Sequence, residues 1–85
     1  MSVRLHPDVV ATDTDDGTVL LNERTGRYWQ LNSTGGQILR RLLDGHEAAR
    51  IAADVADRHR IDPHRAELDV TAVIEQLRAA QLVIA

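Results

Sequence analysis

In Gly26-Arg27-Tyr28-Trp29-Gln30-Leu31-Asn32-Ser33-Thr34-Gly35 a short β-forming run passes directly into a helix start. The run holds Tyr28 and Trp29, the only aromatic side chains among 85 residues, and the chain has no Phe. Adjacent residues on a strand point to opposite faces. One ring is therefore free to anchor the core while the other looks elsewhere, and an aromatic side chain on an exposed strand is a common anchor for a bound partner. The competing reading is that both rings simply cover the edge of a thin core.

Upstream of this run the sequence reads as extended chain. Val3 to Leu5 and Val9 to Thr12 form one interrupted edge segment, with Pro7 placed where a sheet edge tolerates it. Asp13-Thr14-Asp15-Asp16-Gly17 is a turn cluster. Thr18 to Asn22 follows as a strand rich in β-formers. Glu23-Arg24-Thr25-Gly26 is a short loop, so Arg27 to Leu31 completes a hairpin. These segments predict a three-stranded antiparallel meander.

Downstream the periodicity is helical. Asn32, Ser33 and Thr34 compete for the first N-cap, and Thr34 and Gln37 have capping-box spacing. Ile38, Leu39, Leu42 and Leu43 form one apolar face, with Arg40 and Arg41 opposite, and Gly45 ends the helix. A second helix runs from His46 or Glu47 to His59 on a light stripe of Ala48, Ile51, Ala52 and Val55. Asp62-Pro63 starts a third, with Ala66, Val70, Val73, Ile74, Leu77 and Ala80 at three- and four-residue steps. Leu82-Val83-Ile84 is a short apolar tail. The order βββααα predicts an α+β fold, a winged helix-turn-helix-like domain occupying residues 1–85 as one unit.

Composition narrows the function. A chain with 44% hydrophobic residues, 27% charged residues and two prolines is globular rather than disordered. Its core must come from Leu, Val, Ile and Ala, which limits stability to about 3–5 kcal/mol and leaves little interior for a catalytic cavity. The absence of cysteine excludes disulfides, thiol catalysis and thiolate metal sites. No apolar run is long enough to cross a bilayer, and the N-terminus lacks a signal-peptide stretch, so a soluble cytoplasmic protein is expected. The net charge of −3, with Arg supplying all ten basic residues, gives no general attraction for nucleic acid or anionic lipid.

Catalytic constellations fall short. His6, His46, His59 and His64 include no pair at the helical i, i+4 spacing of a metalloprotease, and they read as solvated histidines. Asp13, Asp15 and Asp16 resemble the start of a calcium loop, but no Glu stands where that loop needs one. Ser33 and Thr34 lack a neighbouring base and serve as caps. Gly35-Gly36 lacks the Lys and spacing of a phosphate loop. Neither a metal nor a cofactor is expected.

A winged helix invites comparison with DNA-binding regulators, and a transcriptional regulator is the alternative reading. Its charge is wrong for that role. From Asp62 onward, Arg65 and Arg78 face Asp62, Glu67, Asp69 and Glu75, the reverse of what a recognition helix among phosphates requires. A third reading is a structural subunit whose groove a partner enzyme fills. Peptide binding fits better. If Arg27 to Leu31 is a sheet edge, it leaves backbone groups unpaired. With the third helix beside it, an extended peptide can add as a further strand. Asp69 at the rim would favour a basic peptide side chain. Core packing accounts for part of the Val70, Val73, Ile74 and Leu77 stripe.

The ordered set Tyr28-Trp29-Gln30-Leu31-Asn32-Ser33-Thr34-Gly35, Ile38-Leu39, Leu43-Asp44-Gly45, and Asp69-Val70 with Ile74, Leu77, Leu82 and Val83 resembles the PqqD-like family. These are the recognition elements of pathways that modify ribosomally made peptides. The likeness covers nearly the whole chain, and its stand-alone size is most similar to the leader-binding protein of lasso-peptide pathways. The resemblance implies a non-catalytic protein, monomeric on its own, that binds the leader segment of a precursor peptide. It also implies presentation of that precursor to a cysteine-protease-like leader peptidase and a cyclase. By position, Arg27, Tyr28, Trp29, Gln30 and Leu31 would pair with the leader, and Asp69, Val70, Val73, Ile74 and Leu77 would wall the groove. Many members have a Trp just after the first helix start, where this chain has Leu39 and Arg40.

Overall fold

The computed structural model of the protein describes residues 3–84. In chain order its elements are β1 (Arg4–Leu5), β2 (Val9–Thr14), β3 (Gly17–Asn22), β4 (Tyr28–Asn32), α1 (Ser33–Leu43), α2 (Ala48–His59), α3 (Pro63–Ala79) and β5 (Val83–Ile84). The predicted meander is present as an antiparallel sheet in the order β2-β3-β4, and three helices follow it. The class is α+β, as the sequence predicts.

The first and last segments depart from expectation. Val3 to Leu5 does not extend the meander, and the apolar tail contributes a strand of its own. Instead β1 and β5 form a separate two-stranded antiparallel sheet, with Arg4 opposite Ile84 and Leu5 opposite Val83. The cause lies at Pro7. The chain turns there, with the Val9 N–H donating to the His6 carbonyl at 2.9 Å and the Asp8 N–H to His6 Nδ1 at 3.1 Å. That turn separates β1 from β2. Burial of Val3, Leu82 and Val83 then fixes the two chain ends against each other.

Other boundaries shift for local reasons. The acidic turn is shorter than predicted, because pairing continues to Thr14 opposite Gly17 and leaves only Asp15 and Asp16 as the hairpin loop. Asn32 wins the competition for the α1 N-cap, its Oδ1 accepting from the Gly35 N–H at 2.8 Å. Ser33 and Thr34 are already helical. At the other end the His46 N–H reaches the Arg41 carbonyl and the Gly45 N–H the Leu42 carbonyl, each at 3.0 Å. This pairing needs a left-handed residue at Gly45, whose φ is 92°. The second helix starts at Ala48, just after the expected His46 or Glu47.

The helices cover the inner face of the sheet. On β3 and β4 this face carries Thr18, Leu20, Trp29 and Leu31, which meet Ile38, Leu39 and Leu42 of α1 in and around the core. Gly36 brings α1 close, since a Cβ there would overlap the Thr18 hydroxyl. Ile51, Ala52, Val55 and Ala56 of α2 and Ala66, Val70 and Leu77 of α3 complete the core. Arg41 of α1 binds Asp54 of α2 at 2.7 Å, and Arg40 pairs with Asp13 of β2. Among the described residues no helix is long and apolar enough to cross a membrane.

Candidate peptide-binding groove

Strand β4 is an edge of its sheet, and among the described residues nothing pairs with its outer side. The ladder determines which backbone groups it presents. The Asn22 N–H donates to the Arg27 carbonyl at 2.9 Å, just before the register that sets Leu20 opposite Trp29 and Thr18 opposite Leu31. Antiparallel pairs alternate between bonded and non-bonded. Trp29 and Leu31, like the Arg27 carbonyl, therefore turn their backbone groups toward β3, while Tyr28 and Gln30 turn theirs outward. An incoming extended chain would find two N–H donors and two carbonyl acceptors there.

Side chains on β4 follow the opposite rule, alternating between faces. Trp29 and Leu31 point inward and pack against the core. Tyr28 and Gln30 lie on the outer face. Tyr28 is 70% exposed and stands in a cross-strand row with Leu21 and Val10, both also exposed. The two rings therefore divide their roles, with Trp29 toward the core and Tyr28 toward solvent. Arg27 sits over the Trp29 ring, its guanidinium carbon 5.4 Å from the centroid.

Between the start of β4 and the end of α3 lies a cavity of about 340 Å³, bounded by Arg24, Arg27, Trp29, Ala79, Ala80 and Gln81 among others. The close of α3 shapes its far wall. The Leu82 N–H reaches the Leu77 carbonyl at 2.9 Å and the Gln81 N–H the Arg78 carbonyl at 3.0 Å. Gln81 adopts the left-handed conformation, φ 58°, that such an ending demands.

The predicted helix wall divides. Val70 and Leu77 are each 1% exposed. They hold α3 from beneath and offer no surface to a peptide, because the domain's own core claims them first. Ile74 lies by a different cavity, of about 200 Å³, with Val3, Leu42, His46 and Arg78. Asp69 and half-buried Val73 start a stripe that continues at three- and four-residue steps to Gln76 and Ala80, and of these four Ala80 lines the larger cavity. Asp69 is exposed, with Arg65 at 3.9 Å one turn away. The cationic side chains Arg24 and Arg27 gather at the strand end of the groove. Sequence reasoning did not place Arg24, Ala79 or Gln81 at the groove, and nothing in their residue types marks them, since the turn and the helix ending bring them together. Among the described residues no group of three or more His, Asp or Glu side chains is placed to hold a metal ion.

The three-stranded sheet thus has β2 and β4 as its edges, and three helices cover one of its faces. Residues 17–83 match the family described as Coenzyme PQQ synthesis protein D (PqqD), and the chain belongs to that family. Two solved structures extend the likeness. One, described as lasso peptide synthetase B1 complexed with the leader peptide, is 36% identical, with a TM-score of 0.92 over 100% of both chains. The other, TbiB1 in complex with the TbiA(beta) leader peptide, is 26% identical, with a TM-score of 0.83 over 94% of this chain and 93% of that one. Comparison with curated proteins finds no match.

Proposed function

We propose that this protein is a non-catalytic adaptor that binds the leader segment of a ribosomally made precursor peptide. The leader adds as a strand to the outer edge of β4, and the adaptor presents it to a leader peptidase and a cyclase in lasso-peptide biosynthesis. The observation that carries this reading is the unpaired edge of β4, with the backbone groups of Tyr28 and Gln30 turned outward beside the end of α3. Strand addition supplies backbone hydrogen bonds without regard to sequence, and the neighbouring cavity supplies side-chain selectivity. Two solved relatives described as complexes with leader peptides support the same reading.

Arg27, Tyr28, Trp29, Gln30 and Leu31 form the pairing strand in this proposal. Asp69 and Val73 lie on the facing helix flank, with Val70, Ile74 and Leu77 as its support. The decisive experiment adds a synthetic leader from the precursor encoded beside this gene while Trp29 fluorescence and amide NMR shifts are followed. Binding should move the amide signals of Tyr28 and Gln30 most within β4 and slow their hydrogen exchange. A bound leader that leaves those two amides unprotected would rule out strand addition at this edge.

A further inference from the structure

The strand side of the larger cavity is lined by hydrogen-bond donors whose acceptor atoms are engaged locally, and Ala79, Ala80 and Gln81 form its helix side. His6 Nδ1 accepts from the Asp8 N–H at 3.1 Å, which leaves Nε2–H as the free end of the ring. Asn22 Oδ1 accepts from the Arg24 and Thr25 N–H groups at 3.0 and 3.1 Å, leaving its amide hydrogens. Thr25 Oγ1 accepts from the Arg27 N–H at 3.3 Å, leaving its hydroxyl proton to give. Arg24 and Arg27 add two guanidinium groups, which donate only. The helix ending removes two competing acceptors, because the Leu77 and Arg78 carbonyls are taken by the Leu82 and Gln81 N–H groups.

Charge points the same way. Among the described residues Asp8 is the one carboxylate within ion-pair distance of Arg24 or Arg27, with Oδ2 at 3.4 Å from Arg24 Nε. Arg27 makes no ion pair among the described residues and rests on the Trp29 ring instead. A cavity of about 340 Å³ with this lining has the space and the donor set for a carboxylate arriving on an extended chain.

We propose that this cavity takes an Asp or Glu side chain of the bound peptide, at the end of its paired segment that lies beside Arg27. The proposal rests on the peptide-binding reading of the groove and names a residue class that the groove selects. It stands beside the expectation that Asp69 at the rim favours a basic peptide side chain.

The test is selection of a displayed library of random dodecapeptides on the immobilised full chain, followed by titration of the enriched peptides. Asp or Glu should be enriched at one position next to the paired segment. Replacing it with Asn or Gln should weaken binding about tenfold to the parent protein, and less than twofold to the Arg24→Gln, Arg27→Gln double variant. Both arginines are exposed, so the variant should keep its fold, which circular dichroism checks. Selection on the Arg24→Glu, Arg27→Glu variant should shift that position to Lys or Arg. Enriched peptides with no acidic preference, or a preference that both variants retain, overturn the carboxylate site while leaving strand addition standing. Failure to enrich any peptide overturns the peptide-binding reading, and this site with it.

Discussion

The Leu31 carbonyl lies against the α-carbon of Gly17, so close that a Cβ on the glycine would overlap it. Gly17 also has φ 152°, a conformation that L side chains rarely adopt. One residue thus joins the β2–β3 hairpin to the strand that carries the candidate site. Gly17→Ala should cost about 2–4 kcal/mol through combined strain and overlap, and should loosen β4 from β3. Urea denaturation followed by Trp29 fluorescence measures this, and a midpoint within error of the parent would contradict the packing described.

The two adjacent rings should respond differently to truncation. Trp29 packs against the core opposite fully buried Leu20, so Trp29→Ala should lower stability by about 2–3 kcal/mol. It should also weaken peptide binding by removing the support beneath Arg27. Tyr28 stands in solvent, and Tyr28→Ala should change stability by no more than about 0.5 kcal/mol. Thermal melts of the two variants, read by circular dichroism, separate the assignments. Equal losses would mean that the rings share one environment.

The contrast between Tyr28 and Trp29 shows what the sequence makes legible. Strand alternation requires the two rings to part, and the helical stripe of Ala66, Val70 and Leu77 identifies the buried face of α3. Both are short-range regularities, visible in a window of a few residues. The pairing of Arg4–Leu5 with Val83–Ile84 is not of that kind. Two-residue strands carry no periodic signal, and their partners stand at opposite ends of the chain. The groove wall is hard to read for a related reason. Val73 and Ile74 are neighbours of similar chemistry, but the turn between them sends them to opposite flanks of α3. Only the placement of the sheet decides which flank borders the cavity.

Left-handed conformations at two non-glycine helix endings yield a stability prediction. Arg60 and Gln81 have φ of 53° and 58°, a region where a Cβ is disfavoured and glycine is not. Arg60→Gly should raise stability by about 0.5–1 kcal/mol, which for a domain of this size is a few degrees in Tm. Gln81→Gly should do the same for the fold but would also remove a donor from the cavity wall. A lower Tm for Arg60→Gly would mean that its side chain contributes more than its backbone costs.

The outward orientation of Gln30 leads to the sharpest prediction for function. Its N–H points away from β3 and has no partner among the strands described, so a proline there removes a donor that the folded protein does not use. Edge strands accept proline where the lost N–H faces solvent. Gln30→Pro should therefore leave a folded domain with at most a modest loss of stability, while leader binding weakens about tenfold or more through loss of a ladder hydrogen bond and its neighbours. Gln30→Ala keeps the N–H and should bind within about twofold of the parent, since the side chain lies on the outer face of the sheet. Trp29→Pro is the positional control. Its N–H belongs to the β3 ladder, so that variant should unfold rather than merely lose affinity. Isothermal titration with a synthetic leader, paired with circular dichroism of each variant, distinguishes the three. A Gln30→Pro protein that binds as tightly as the parent would show that the peptide does not pair with this edge.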